Sequence, residues 1–215
     1  MGEPVERFVR PALPAAVFHD DDGGPIHYSE RWGADGAPSD ACSRVSSPER
    51  FTGLHLVADA LIDYLAKTFD ADVDSAQEYA GDLLRHGITP VRAVRITPRG
   101  RDAAPLTFVF TDFPGLAVHA GAQQDFIYPA CGCDACDETA ERCADELERV
   151  VRGVTLGGFR EWVDPGGNAG MRLAFEDGSM GGGNTGPVPE DRLENARARL
   201  AQLPGGWAPW PLRAK

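Results

Sequence analysis

The sequence predicts an α+β domain in which a mostly antiparallel β-sheet packs against several α-helices. Three observations carry this expectation. Apolar residues recur at helical spacing on both sides of residues 91–130. Within that stretch, short runs of β-branched and aromatic residues alternate with Pro- and Gly-containing turns. Such short turns join antiparallel neighbours, because a parallel pair needs a long crossover.

In chain order, residues 1–46 are rich in Pro, Gly and Asp and read as an irregular segment with a short strand near 26–28. Ser47-Pro48-Glu49 reads as a helix start. Phe51, Leu54, Ala58, Leu61, Ile62, Leu65 and Phe69 then follow as one apolar face of a helix over 48–69. Asp74 and Gln77 resemble a capping box for a second helix that ends near Gly87. Strands are expected at 91–97, 106–111, 116–120 and 125–128. A third helix, 137–152, carries the stripe Ala140, Cys143, Ala144, Leu147, Val150 and Val151. Residues 159–163 and 171–175 read as a hairpin that extends the sheet, and 178–186 as a flexible loop. A last helix, 189–203, precedes the aromatic tail. All 215 residues are read as one domain, with residues 204–215 docked on it through Trp207 and Trp210.

Composition excludes several functions. A chain this long buries roughly 70–75% of its unfolded surface, so it needs neither a disulfide nor a metal merely to fold. The net charge of −12, without a run of Lys or Arg, argues against nucleic acid and against an anionic membrane surface as partners. No apolar stretch approaches the ~20 residues of a membrane span, and no signal-peptide core is evident. The expected location is therefore the cytoplasm, where stable disulfides are rare and cysteines are buried, reactive or metal-bound.

The chemistry concentrates in one place. Cys131, Cys133 and Cys136 fall within six residues, between a strand and a helix. Three readings compete. The thiolates could hold zinc, which prefers tetrahedral sulfur. Cys143 is a poor fourth ligand, because seven residues of helix at 1.5 Å each carry it roughly 10 Å away. The fourth would come from His119, or from His19 or His27. Alternatively, Cys133-Asp-Ala-Cys136 is a redox pair at a helix N-terminus, although Asp134, Asp137 and Glu138 oppose thiolate formation. The plainest reading is a tight turn of small residues, with Asp134 or Asp137 capping the helix.

Other motifs are weaker. Gly181, Gly183 and Gly186 fit GxGxxG without the βαβ context a dinucleotide site needs. Asp20-Asp21-Asp22 beside His19 reads as an acidic turn. His55 and His86 read as helix histidines. No nucleophile elbow, Walker loop or HExxH is present.

The blocks PLTFVFTDFPG (105–115), CGCDACDE (131–138) and WAPWP (207–211) resemble a family of bacterial proteins, mainly from GC-rich genomes, classed as a domain of unknown function. The resemblance spans residues 47–213. It implies that the three cysteines form a unit, and it supplies no activity or cofactor. The leading expectation is a non-enzymatic cytoplasmic domain of unknown role, with Cys131, Cys133 and Cys136 as the candidate ligands of a structural metal. The alternative is a thiol-based redox protein or enzyme using Cys133 and Cys136.

Overall fold

The computed structural model describes residues 7–183 and 188–214. In chain order the elements are β1 (Phe18–His19), β2 (Pro25–Ile26), α1 (Gly53–Thr68), β3 (Ala71–Ser75), β4 (Pro90–Pro98), β5 (Leu106–Thr111), β6 (Leu116–Ala120), β7 (Gln124–Tyr128), α2 (Ala140–Thr155), β8 (Phe159–Val163), β9 (Ala169–Phe175), β10 (Gly178–Gly183) and α3 (Glu190–Leu200). Short 3-10 helices occupy Ser39–Ser43, Pro48–Phe51, Gln77–Asp82 and Asp134–Cys136. The α+β class is as expected.

The main sheet is an antiparallel meander in the order β3-β4-β5-β6-β7. One face meets α1 and α2. The apolar stripe of α1 (Leu54, Ala58, Leu61, Ile62, Leu65) and that of α2 (Ala144, Leu147, Val150, Val151) join Phe108, Phe110, Leu116 and Val118 in one core. These helices hold because amphipathic faces bury apolar area, at about 25 cal/mol per Å². The opposite face buries a smaller apolar group, Ala93, Val109 and Ala117, against which Tyr79, Ala80, Leu83, Ile88 and Ile127 pack.

Several expectations are corrected. The helix from Asp74 does not form. Residues 71–75 instead pair with β4, Val73 opposite Ile96, and become an edge strand. The weak helix propensity of Asp, Val and Ser loses to a full set of ladder bonds. Gln77 donates its side-chain amide to the Pro90 carbonyl rather than closing a capping box. Helix α1 begins at Gly53, not 48. Ser47 is left-handed (φ 50) and caps nothing, and Pro48–Phe51 form a 3-10 turn. Residues 178–183 are a strand paired with β9, not a loop. Gly181 and Gly183 of the GxGxxG match lie on that strand, and Gly186 lies outside the described residues. The acidic run is a turn, in which the Asp20 carboxylate accepts from the Asp22 and Gly24 amides.

Strands β8–β10 form their own three-stranded sheet rather than extending the main one. The C-terminal tail lies along β8, where the Trp207 amide donates to the Phe159 carbonyl at 3.0 Å. The tail also bonds Ala208 to Asp102, Trp210 to Thr155 and Arg213 to Thr68. Trp207 and Trp210 are 4% and 3% exposed. Among the described residues no helix is long and apolar enough to cross a membrane.

Glu161, on β8, anchors the tail. Its carboxylate accepts from the Trp207 indole (2.7 Å) and from the amides of Ala122 and Gln123 (2.9 Å each). Burial pushes this carboxyl up to about 6, against the pull of those donors and of His119. An unfolded glutamate titrates at about 4.3, so the folded chain binds this proton more tightly. Stability from Glu161 therefore rises as pH falls through the folded value, and is complete below the unfolded one. Between pH 7 and pH 5 the wild type should gain about 1 kcal/mol relative to Glu161→Gln. Urea unfolding of both at the two pH values tests this, and equal shifts would refute it.

Candidate metal centre

The thiol loop follows β7 and is held from three sides. Glu138 folds back so that its carboxylate accepts the amides of Ala130 (2.9 Å), Cys131 (3.1 Å) and Gly132 (2.9 Å). Successive amides converging on one anion form a nest, which fixes the backbone of the loop. Gly132 has φ +79, and a Cβ there would stand 2.9 Å from the Phe113 ring, so only glycine fits. The cap of α2 is Thr139, whose hydroxyl accepts from the Arg142 amide, rather than Asp134 or Asp137.

The second support is Arg50, 8% exposed. Its guanidinium donates to the carbonyls of Gly132 (3.0 Å), Glu138 (3.2 Å), Ser47 (3.2 Å) and Ser46. The cation also lies over the rings of Tyr28 (4.4 Å) and Phe51 (4.3 Å). The third support is the N-terminal segment. The fully buried Asp134 carboxylate accepts from the Ser46 amide and hydroxyl, both at 2.8 Å, and faces Arg31 at 3.4 Å. Burial alone would raise this carboxyl, but Ser46, Arg31 and Arg50 together hold it below the usual carboxylate range. The Asp134 amide donates to the Arg44 carbonyl, and its own carbonyl accepts from the Trp32 indole. Asp137 takes the Arg31 amide at 2.9 Å.

None of Arg31, Trp32, Arg44, Ser46 and Arg50 was identified from the sequence. Their signal was faint: aromatic and arginine residues set in an otherwise polar, irregular stretch.

This frame gathers the sulfurs. The Sγ atoms of Cys131, Cys133 and Cys136 all lie within 4.8 Å of one another, and those of Cys133 and Cys136 are 3.5 Å apart. Thiolates bonded to one zinc at about 2.3 Å stand roughly 3.8 Å apart, so the spacing fits a shared ion. Cys133 is buried, and Cys131 and Cys136 are exposed. Bonds to Cys131 and to the Cys136 amide lower the Cys133 thiol, while Cys136, bonded to Cys133 and Cys131, is pushed up to about 12. Cys143 stays apart, its thiol raised by burial to about 12 in the stripe of α2.

His119 lies elsewhere. It sits on β6 opposite Asp125, whereas Leu116 pairs with Tyr128, the residue nearest the loop. Three residues of strand put it roughly 10 Å along the sheet from that end. Its Nδ1 bonds the Asp125 carboxylate at 2.7 Å. His55 bonds the Gly115 carbonyl at 2.8 Å, and neither His19 nor His27 joins the sulfurs.

These features define an α+β domain with a three-cysteine cluster that could hold a metal ion. The chain belongs to a family of unknown function, DUF6226, whose model matches residues 14–214. That span takes in the thiol loop, the tail and the segment that latches onto the loop. No curated protein and no solved structure matches the chain.

Proposed function

We propose that this chain is a non-enzymatic cytoplasmic domain that holds one thiophilic divalent ion, zinc by preference, on Cys131, Cys133 and Cys136. The observation that carries this is the mutual 4.8 Å limit on the three sulfurs. Packing a turn of small residues does not require three thiols to converge on one point. A dication relieves the repulsion among three neighbouring thiolates, and soft sulfur selects zinc over magnesium or calcium. Holding the ion would tie the loop to the Glu138 nest and to the Arg31–Arg50 segment, which is a structural role. The cytoplasm suits this chemistry because it keeps thiols reduced. The net charge of −12 supports a partner other than nucleic acid.

The test is elemental analysis of protein purified without a histidine tag or chelator, for wild type and Cys133→Ser. Zinc near one per chain in the wild type, falling at least tenfold in the variant, is the expected result. Metal absent from both would end the reading.

One observation favours a second reading. The 3.5 Å contact between Cys133 and Cys136 is short enough for a disulfide to form with little motion. Both thiols would give up their protons and together two electrons to an acceptor such as another disulfide. Metal-free native protein that reversibly forms this bond, with no metal in the wild type, would select it.

A further inference from the structure

Three thiolates leave one position of a tetrahedral ion unfilled. Asp134 and Glu138, the carboxylates beside the cluster, are committed, and Asp137 is committed through one of its two oxygens. Glu138 holds three amides, Asp134 holds Ser46, and Asp137 holds the Arg31 amide. Turning Glu138 or Asp134 toward the sulfurs would break two or three hydrogen bonds at once, including those to the part-buried Gly132 and Ser46 amides. Among the described residues, the group of metal-ligating side chains stops at the three cysteines. Two of those three are exposed, so the cluster is reachable from solvent.

A cleft adjoins it. Cys131 stands in the wall of a cavity of about 280 Å³, together with Arg85, His86, Thr89, Asp112 and Phe113. The wall on the Arg85 side is fixed rather than loose. Asp125 accepts the amides of Leu84 (2.7 Å) and Arg85 (2.9 Å) while it holds His119. His119 therefore helps to position the cleft. One oxygen of Asp112 accepts the Phe113 amide at 2.7 Å while its charge stays in the wall, and Arg85 and His86 are the groups offered to an anion. The volume lies just below the usual range of about 300–1,000 Å³ for small-molecule sites, which suits a small occupant.

Resting on the metal reading above, we infer that the fourth position belongs to a ligand from outside the chain, a low-molecular-weight thiol bearing a carboxylate. Its sulfur, on releasing its proton to solvent, would complete an all-thiolate set, which a soft ion prefers. Its carboxylate lies in the cleft against Arg85, as a charge-assisted contact. Arg50, beneath the loop, offsets part of the negative charge that accumulates at the sulfurs.

Cobalt(II) in place of zinc makes the site visible, because each thiolate adds to the sulfur-to-cobalt charge-transfer band. The probe is N-acetylcysteine, with N-acetylserine as its sulfur-free control. In the loaded wild type, the probe should raise the band by about a third, as three thiolates become four. The rise should saturate, the control should give none, and cobalt should stay bound through gel filtration. Arg85→Ala should weaken the probe roughly three- to tenfold, since the cation is exposed. A band that does not grow, or that falls as cobalt leaves, overturns the inference. So does a band that already has four-thiolate intensity and drops in Cys42→Ser. Cys42 lies on the Ser39–Ser43 turn packed against Asp134–Cys136, so it is the chain's own competitor for the position. Failure to take up cobalt at all would be a different result, since it removes the metal reading itself.

Discussion

Replacing Arg50 with alanine should destabilise the protein by at least 3 kcal/mol, because it strands buried carbonyls that cost about 1–3 kcal/mol each. Four carbonyls, from Ser46, Ser47, Gly132 and Glu138, converge on this one guanidinium. The Ser46 carbonyl also takes the Tyr28 hydroxyl and that of Ser47 the Arg50 amide, but among the described residues no second donor reaches the Gly132 and Glu138 carbonyls. The variant should also lose metal, because the loop that carries Cys131 and Cys133 loses its floor. Arg50→Lys should recover little. An ammonium keeps the charge but cannot span four acceptors with a planar fork or stack between Tyr28 and Phe51. Urea unfolding and metal content of both variants check this. A lysine variant with wild-type stability would show that charge alone, not geometry, holds the loop.

The second large effect belongs to the tail. Trp210 sits edge-on to Phe69, with ring centroids 5.5 Å apart, and its indole donates to the Ala104 carbonyl at 2.9 Å. Trp210→Ala should cost about 3–5 kcal/mol, the usual range for truncating a buried aromatic. Trp210→Phe keeps most of the apolar area and leaves the Ala104 carbonyl unpaired, so it should cost about 1–3 kcal/mol. The two losses can be read from urea midpoints at constant slope. Equal stability of the wild type and the alanine variant would mean that the tail only covers the domain and does not help to hold it.

Both effects lie where local sequence patterns are silent. Strands β5, β6 and β8 were legible to the residue, because alternation and turn residues bound each of them closely. The buried faces of α1 and α2 were legible because helical period is a local property of the chain. The three cysteines were legible as a unit because they lie within six residues. Other features depend on partners distant in sequence. β3 and β10 are strands only because β4 and β9 offer them an edge. Asp74 and Gln77 carry a capping-box pattern, and Gly178–Gly183 have almost no side chains to pattern. Propensity yields in such places to ladder bonds made by a partner strand.

The division is sharpest at the candidate site. From sequence alone, the chain's class, its acidic charge, its helix faces and the existence of a thiol cluster follow, since each depends on residue type and short-range spacing. Tertiary structure decided what surrounds that cluster. Ser46 and Asp134 stand 88 residues apart, as do Arg50 and the Glu138 carbonyl, while Trp32 meets the Asp134 carbonyl from 102 residues away. The same structure placed His119 on Asp125 rather than on the sulfurs. Local patterning carries no record of such pairings. They arise when the chain closes and each buried polar group must find a partner, because leaving one unpaired away from water costs more than ordering the segment that satisfies it.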